Sequence, residues 1–299
     1  MGWRTVVVSR SSKLDLKLGY MVIRDSEQTI RVHISEISVL IIENTATSIT
    51  TALLNELTKQ KVKVIFCDEK RNPSSELMSY YGCHDCSLKL RAQLDWQQFS
   101  KEMVWTAIVS QKIQMQAENL NFFGLQESEL LHKYREEIEF NDQSNREGHA
   151  AKVYFNAMFG KEFSRSNEGP INAMLDYGYS IILSCVNREI VSNGYLTQIG
   201  IFHNNMFNQF NLGCDLMEPF RTIVDRKVRV VLPQRFEATE KRQILELLSE
   251  EFIVEGRRQT LLNTIKIYVK SVFDAIENSD ISYIKFYRYG KEKRNSFVY

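Results

Sequence analysis

The chain has 299 residues, 43% of them apolar, and its 38 Lys and Arg nearly cancel 37 Asp and Glu to leave a net charge of +1. That is a globular composition with room for one large domain or two ordinary ones, and it excludes a chain that finds nucleic acid or membrane by bulk charge alone. The scarcity of Gly (13) and Pro (4) favours long helices over a turn-rich β architecture, and no apolar run approaches the ~20 residues of a membrane span.

The opening Met-Gly lacks Ser or Thr at position 6, which argues against myristoylation. The segments "WRTVVVS" (3–9), "LDLKLGYMVIR" (14–24), "TIRVHIS" (29–35) and "ISVLII" (37–42) are rich in β-branched residues and read as strands, with "RDSEQ" (24–28) as a polar turn. "TSITTALLNELTKQK" (47–61) has helical spacing, with Ile49, Leu53, Leu54 and Leu57 along one side and Thr47 or Ser48 as the natural cap. "VKVIFCD" (62–68) returns to strand and "EKRNPSS" (69–75) reads as a loop. Together these predict a small β-rich domain over residues 1–87.

Cys83-His84-Asp85-Cys86 has the look of half a zinc site. A closed site needs four ligands, and Cys185 and Cys214 lie far away in sequence, so the pair is expected to be structural or incidental and to hold no stoichiometric zinc. The five cysteines, odd in number and without a signal peptide ahead of them, fit a reducing cytoplasm.

From residue 88 the period turns helical. "LRAQLDWQQFSKEMVWTAIVSQKIQMQAENL" (90–120) suits one long amphipathic helix, and "PINAMLDYGYSIILSCVNREIV" (170–191) a second with Pro170 in its first turn. "EATEKRQILELLSEEF" (237–252) and "RRQTLLNTIKIYVKSVFDAI" (257–276) add two more, before an aromatic and basic tail (283–299). The expected fold class is therefore α+β: a small N-terminal β-rich domain followed by a larger C-terminal all-α domain over 88–299.

No G-x-x-x-x-G-K-[ST], H-E-x-x-H or G-x-S-x-G occurs, so nucleotide cradles, zincins and serine-hydrolase elbows are poor readings. Three segments are less bland: "SNREGHAAKVYF" (144–155), "NAMLDYGYSIIL" (172–183) and "GYLTQIGIFHNNMFNQFNLGCDLMEPFR" (194–221). They offer Glu147, His203 and Glu218, with Asp215 as a fourth candidate. Carboxylates with a single imidazole suit Mg²⁺ or Mn²⁺ better than a thiolate metal. The residues fit a plainer account as well. Ser144-x-x-Glu147 and Asp215-x-x-Glu218 each match a helix cap with Glu at the third position. His203 after "IGIF" fits the edge of a core, and His149 would face another side of its helix. Gly178, between Tyr177 and Tyr179, costs about 1 kcal/mol against Ala in a helix, and its usual reason is close packing of another backbone.

In chain order, Glu147-Gly148-His149-Ala150-Ala151-x-x-Tyr154-Phe155, Asn172-x-x-Leu175-x-Tyr177-Gly178-Tyr179, Gly200-Ile201-Phe202-His203 and Asp215-Leu216-Met217-Glu218-Pro219-Phe220-Arg221 form a set. This set resembles the CRISPR-associated adaptation integrases (Cas-one). The opening "WRTVVVSRSSKLDLKLGYMVIR" is similar to the type II branch of that family, and the resemblance runs over essentially the whole chain. It implies an N-terminal β domain, a C-terminal helical domain and a divalent-metal site. The metal, Mg²⁺ or Mn²⁺, would be held by Glu147, His203 and Glu218, with Asp215 as an adjoining acidic position. One departure stands out. Many relatives read Gly-Leu-x-Pro ahead of the histidine, whereas Gly194-Tyr-Leu-Thr197 stands here, which is expected to loosen that turn.

The activity that the resemblance implies is a metal-dependent DNA integrase and endonuclease. The 3′-OH of a captured double-stranded DNA attacks a phosphodiester at the edge of a CRISPR repeat. A Lewis acid and an in-line hydroxyl suffice for that chemistry, so no Ser or Cys triad is required. Arg146, Arg165, Arg221, Arg226 and Lys227 are candidate phosphate contacts, though each fits a solvated surface charge better; Arg146 and Arg221 adjoin the site. The implied partners are a second copy of the chain, the small Cas-two protein and, in the type II branch, the effector nuclease and a DNA-end-binding accessory protein. The rival reading is a metal-free scaffold for branched DNA, which would have no use for three convergent ligands.

Overall fold

The computed structural model describes residues 4–79 and 83–290; Trp3 of the first expected strand and residues 291–299 of the basic tail lie outside them. The N-terminal part runs β1 (Arg4–Val8), β2 (Lys13–Lys17), β3 (Tyr20–Arg24), β4 (Thr29–His33), β5 (Ile37–Ile42), β6 (Ser48–Ile49), α1 (Thr51–Lys59), β7 (Lys63–Cys67) and β8 (Pro73–Leu77). Two sheets result, in the orders β1-β5-β7-β8 and β4-β3-β2-β6. The expected single strand over 14–24 is a hairpin, with β2 and β3 antiparallel around Leu18 and Gly19, both at positive φ. Helix α1 starts later than expected because Ser48 and Ile49 are taken into the sheet beside β2, and Thr50 caps it by accepting from Leu53 N (3.4 Å). Part of the expected loop at 69–75 pairs with β7 as β8.

Strand β5 is buried along its whole length, as its unbroken apolar run requires of a strand covered on both faces. Leu40 and Ile42 join Leu14, Met21, Leu53 and Leu57 in a small core, while Val39 and Ile41 turn to the helical core. The sheet is thus shared by both parts.

The helical part contains α2 (Cys86–Leu94), α3 (Gln98–Phe122), α4 (Ser128–Glu136), α5 (Arg146–Phe159), α6 (Pro170–Ser192), α7 (Asn211–Val231), α8 (Ala238–Glu246) and α9 (Leu261–Asn278). The helix expected over 90–120 is broken between α2 and α3, where Trp96 turns inward against Tyr195 and Phe273, with ring centroids 5.4 and 6.1 Å away. The helices expected over 237–252 and 257–276 each give an end to strand. There β9 (Glu251–Val254) and β10 (Arg257–Thr260) form a hairpin, and β11 (Arg288–Tyr289) pairs with the other edge of β9. Phe252 goes into the core from β9 and meets Tyr287, a long-range contact that local periodicity does not register. Among the described residues no helix is long and apolar enough to cross a membrane.

Helices α6 and α7 pack tightly at Gly178, where a Cβ would overlap Val224 Cγ1. The helix-weakening glycine is the condition for that contact. Gly178→Ala should lower the unfolding free energy by about 1–3 kcal/mol and cost nearly nothing in a Val224→Ala background. Urea denaturation of the two singles and the double tests the coupling.

Candidate metal centre

Helix α7 buries a polar stripe. Asp215, Glu218, Thr222 and Asp225 are all buried, and their spacing places them on one face. Neither Asp215 nor Glu218 caps a helix, because both lie inside α7. Pro219 has no N–H to offer the carbonyl of Asp215, while its own carbonyl accepts from Thr222 Oγ1 (2.8 Å) and the Tyr287 hydroxyl (2.9 Å).

Asp215 collects hydrogen bonds. Its Oδ2 accepts from the backbone N–H of Ile201 (2.6 Å) and Phe202 (3.0 Å), and its Oδ1 from that of His203 (3.1 Å). His203 Nδ1 lies 2.5 Å from Oδ1, and since a carboxylate accepts, that nitrogen carries the proton. Nε2 is left as the free lone pair of the neutral ring. The Asp215 hydrogen bond raises the imidazole pKa against the effect of burial, and the charges of Glu218 and Glu147 add to it. Behind the histidine, Trp105 lies edge-on at 5.8 Å and stacks flat on Phe202 at 4.3 Å. Gly200 permits the tight turn, since a Cβ there would overlap the His203 carbonyl oxygen. The turn ahead of it is not loosened by Thr197. That residue is buried, its hydroxyl donates to Gln209 O (2.8 Å) and its carbonyl accepts from Leu212 N (2.9 Å), so the segment is tied to the start of α7.

Glu147 sits in the first turn of α5, yet the cap is made by another residue. Asn145 occupies the N-cap in a left-handed conformation, and Asp142 accepts from Arg146 N (2.8 Å) and Glu147 N (3.1 Å). The Glu147 carboxylate is thereby free to reach inward. It meets Lys112 Nζ, and the same ammonium bonds Glu218. Arg221 Nε bonds the other oxygen of Glu218 at 2.8 Å, with its guanidinium 4.8 Å above the Tyr179 ring. Burial opposes the charge on Glu218, but the Arg221 and Lys112 cations prevail and hold its carboxyl at about 2. Burial likewise opposes the Lys112 charge, and Glu218 and Glu147 outweigh it, raising its pKa.

Further along the stripe, Asn119 donates to Thr222 O (2.7 Å) and to the Tyr154 hydroxyl (2.9 Å), and the Tyr179 hydroxyl bonds Asp225. Burial pushes the Asp225 carboxyl up to about 6, with the tyrosine hydroxyls pulling the other way. This end of the stripe is a core anchor.

Two carboxylates from different helices converge on one buried cation, and their charges act on an imidazole whose second nitrogen is pinned; the donor atoms of Glu147, Glu218 and His203 do not all lie within 4.8 Å of one another. That donor set, two oxygens and one nitrogen, fits a hard or borderline divalent ion. Glu147, Glu218 and His203 Nε2 could supply the ligands. Asp215 is saturated by internal donors and serves to orient His203. Among the described residues, the trio of candidate metal-binding side chains with donor atoms all within 4.8 Å is Cys83, His84 and Asp85, one short of a closed zinc site. The thiol of Cys86 turns instead to the Cys83 carbonyl (2.6 Å).

The candidate phosphate-binding cations are engaged. Arg146 pairs with Glu137 (3.0 Å), Arg165 with Asp176 and Asn172, and Lys227 with Glu246 and Glu250 (3.5 and 3.6 Å). Arg226 lies between the rings of Phe122 and Tyr289, at 3.9 and 3.8 Å.

Sequence reasoning missed Lys112, although a signal for it existed. Val104, Trp105, Ile108 and Val109 define the buried face of α3, and position 112 falls on that face. A lysine there needs a buried anion. Lys112→Met would leave Glu147 and Glu218 facing each other and should lower stability by about 3–5 kcal/mol, measured by urea unfolding in chelator. A loss below about 1 kcal/mol would place Lys112 in the range of an exposed pair.

The family model described as CRISPR associated protein Cas1 matches residues 5–246. The chain is 30% identical to the CRISPR-associated endonuclease Cas1 of Neisseria meningitidis serogroup C (strain 8013), covering 95% of this chain and 96% of that one. Its fold matches a casposase bound to integration product, at a TM-score of 0.75 and 17% identity over 93% of this chain and 92% of that one. It also matches a chain of a Cas6-RT-Cas1–Cas2 complex, at a TM-score of 0.70 and 17% identity over 94% of this chain and 36% of that longer one.

Proposed function

The chain belongs to the CRISPR-associated Cas1 family, and from that premise we propose that it is a divalent-metal-dependent DNA integrase and endonuclease of CRISPR adaptation. It joins the 3′-OH ends of captured DNA to a CRISPR repeat by phosphodiester transesterification. The observation that carries this reading is the convergence of Glu147 and Glu218 on one buried ammonium, with the imidazole of His203 oriented by Asp215 and within the field of both glutamates.

Glu147, Glu218 and His203 Nε2 would hold Mg²⁺ or Mn²⁺, which would supply a Lewis acid for the phosphodiester. The protein's own groups do the rest. Asp215 fixes the tautomer and direction of His203, and Trp105 backs the ring. Lys112 and Arg221 match the two glutamates, so a bound dication leaves the site net positive and attractive to a phosphate. Burial pushes the thiols of Cys67 and Cys185 up to about 12 and about 11, so neither is activated as a thiolate. In this reading the attacking group is the 3′-OH of the DNA.

The relatives' descriptions, an integration product in one and Cas2 in another, support DNA and Cas2 as partners here. The homodimer, the type II effector nuclease and the DNA-end-binding accessory protein complete the proposal, as does the division into residues 1–87 and a catalytic part over 88–299.

Glu147→Ala, His203→Ala and Glu218→Ala should each abolish joining of a short duplex to a supercoiled repeat plasmid in Mg²⁺ or Mn²⁺, with the circular dichroism of the wild type retained. Near-normal joining by Glu147→Ala would remove the assignment. A pH series gives an independent check. Because the His203 pKa is raised, its proton persists to higher pH and competes with the metal. Joining at limiting metal should therefore fall as pH drops from about 8 to about 6. Excess metal should restore it, and a pH profile indifferent to metal concentration would speak against His203 as a ligand.

A further inference from the structure

The loop between His203 and α7 carries two large apolar side chains with almost nothing against them: Met206 and Phe207 are each 87% exposed. The loop backbone is firmly tied. Asn205 Oδ1 accepts from Phe207 N (2.9 Å) and Asn208 Oδ1 from Phe210 N (2.9 Å). Asn211 Nδ2 donates to Gln198 O and Asn205 O (3.0 Å each), while its Oδ1 accepts from Asn205 N (3.2 Å). Asn208 N donates to Asn205 O at 3.0 Å. Asparagine side chains thus brace the tip, which holds its two apolar groups clear of the surface in this structure. Phe202, at the root of the loop, has one ring face covered by Trp105 and remains 48% exposed.

Position and composition decide what the tip meets. His203 and the start of α7 anchor its two ends, so it is fixed relative to Glu147, His203 and Glu218. Four residues of chain span at most about 14 Å, which corresponds to about four base steps at 3.4 Å each. The stretch from His203 to Phe210 contains no Lys or Arg, so it offers no cation to a phosphate. What it offers is an aromatic face and amides. A base presents a π-face whatever its identity, so stacking holds a strand without reading it, as captured DNA of variable sequence requires.

We propose that Phe207 stacks on a base within about four nucleotides of the reacting 3′ end, flanked by Met206, and thereby sets the register of that strand over the metal centre. Phe207 is a positioning residue in this role, and the inference rests on the integrase reading above.

The test uses the full chain assembled with Cas2 and a short duplex carrying 2-aminopurine at each of the last five 3′ nucleotides in turn. Wild type and Phe207→Trp should quench the fluorescence at one position, and Phe207→Ala should not. Phe207→Ala should weaken DNA binding about 5- to 100-fold. An abasic site at the quenched position should weaken wild type by the same factor and leave Phe207→Ala no weaker than before. Thermal melting should be unchanged, since Phe207 is not part of the core. If wild type joins DNA while Phe207→Ala equals it in quenching, affinity and rate, the stacking proposal falls and the integrase reading stands. If wild type neither binds nor joins, both fall. An altered sedimentation profile for Phe207→Ala with quenching intact would show that the tip docks on protein, which also overturns the proposal.

Discussion

A helix that buries several acids on one face must find a partner for each of them, and in α7 that requirement organises the helical part of the molecule. Asp215 takes the backbone of residues 201–203 and the imidazole of His203; Glu218 takes Lys112 and Arg221; Asp225 takes Tyr179. An unmatched buried carboxylate would cost several kcal/mol, so the partners are not ornaments of the fold. They dictate which face of α3 and α6 is turned to α7, and how the preceding loop must bend.

The same requirement ties distant segments together. Lys112 spans from α3 to both α5 and α7, so the start of α5 is fixed by a charge it did not generate. Close helix contact makes this feasible: Gly178 lets α6 seat against Val224, which brings Tyr179 within reach of Asp225. On the far side, α6 rests on the shared sheet. There Ser184 Oγ donates to Glu76 (2.7 Å), which is paired with Lys63, and Arg188 donates to Ser38 O (3.1 Å). The β-rich part therefore buttresses the helix that buttresses α7.

The division of labour at the site follows from burial. Asp215, fully enclosed, is an orienting group. Glu147 and His203, partly open, are the groups that can reach a ligand, with Glu218 beneath them. Rigidity extends outward from this floor into the asparagine-braced loop. A surface segment next to the candidate metal centre therefore holds a defined shape, where an unbraced loop of that length would not.

Much of this was legible in the chain itself. β-branched runs in the first part and a helical period from residue 88 marked the α+β division. Pro170 marked the first turn of α6, and Glu147, His203, Asp215 and Glu218 stood out as acids and an imidazole in motif context. Local pattern failed where a competing long-range contact took the residues. Ser48 and Ile49 went to a sheet before α1 could claim them, Trp96 broke a periodic run to reach Tyr195, and Phe252 left a helical pattern to pair in β9. Pattern also could not distinguish a cap from a ligand. Ser144-x-x-Glu147 has the spacing of a capping box, and only the folded chain shows Asp142 doing the capping and Glu147 turned toward Lys112. Residue type and spacing determined which groups were capable of holding a metal. Their convergence was decided by tertiary packing, because Lys112, Glu147 and Glu218 lie on three helices, and no sequence period relates one helix's face to another's.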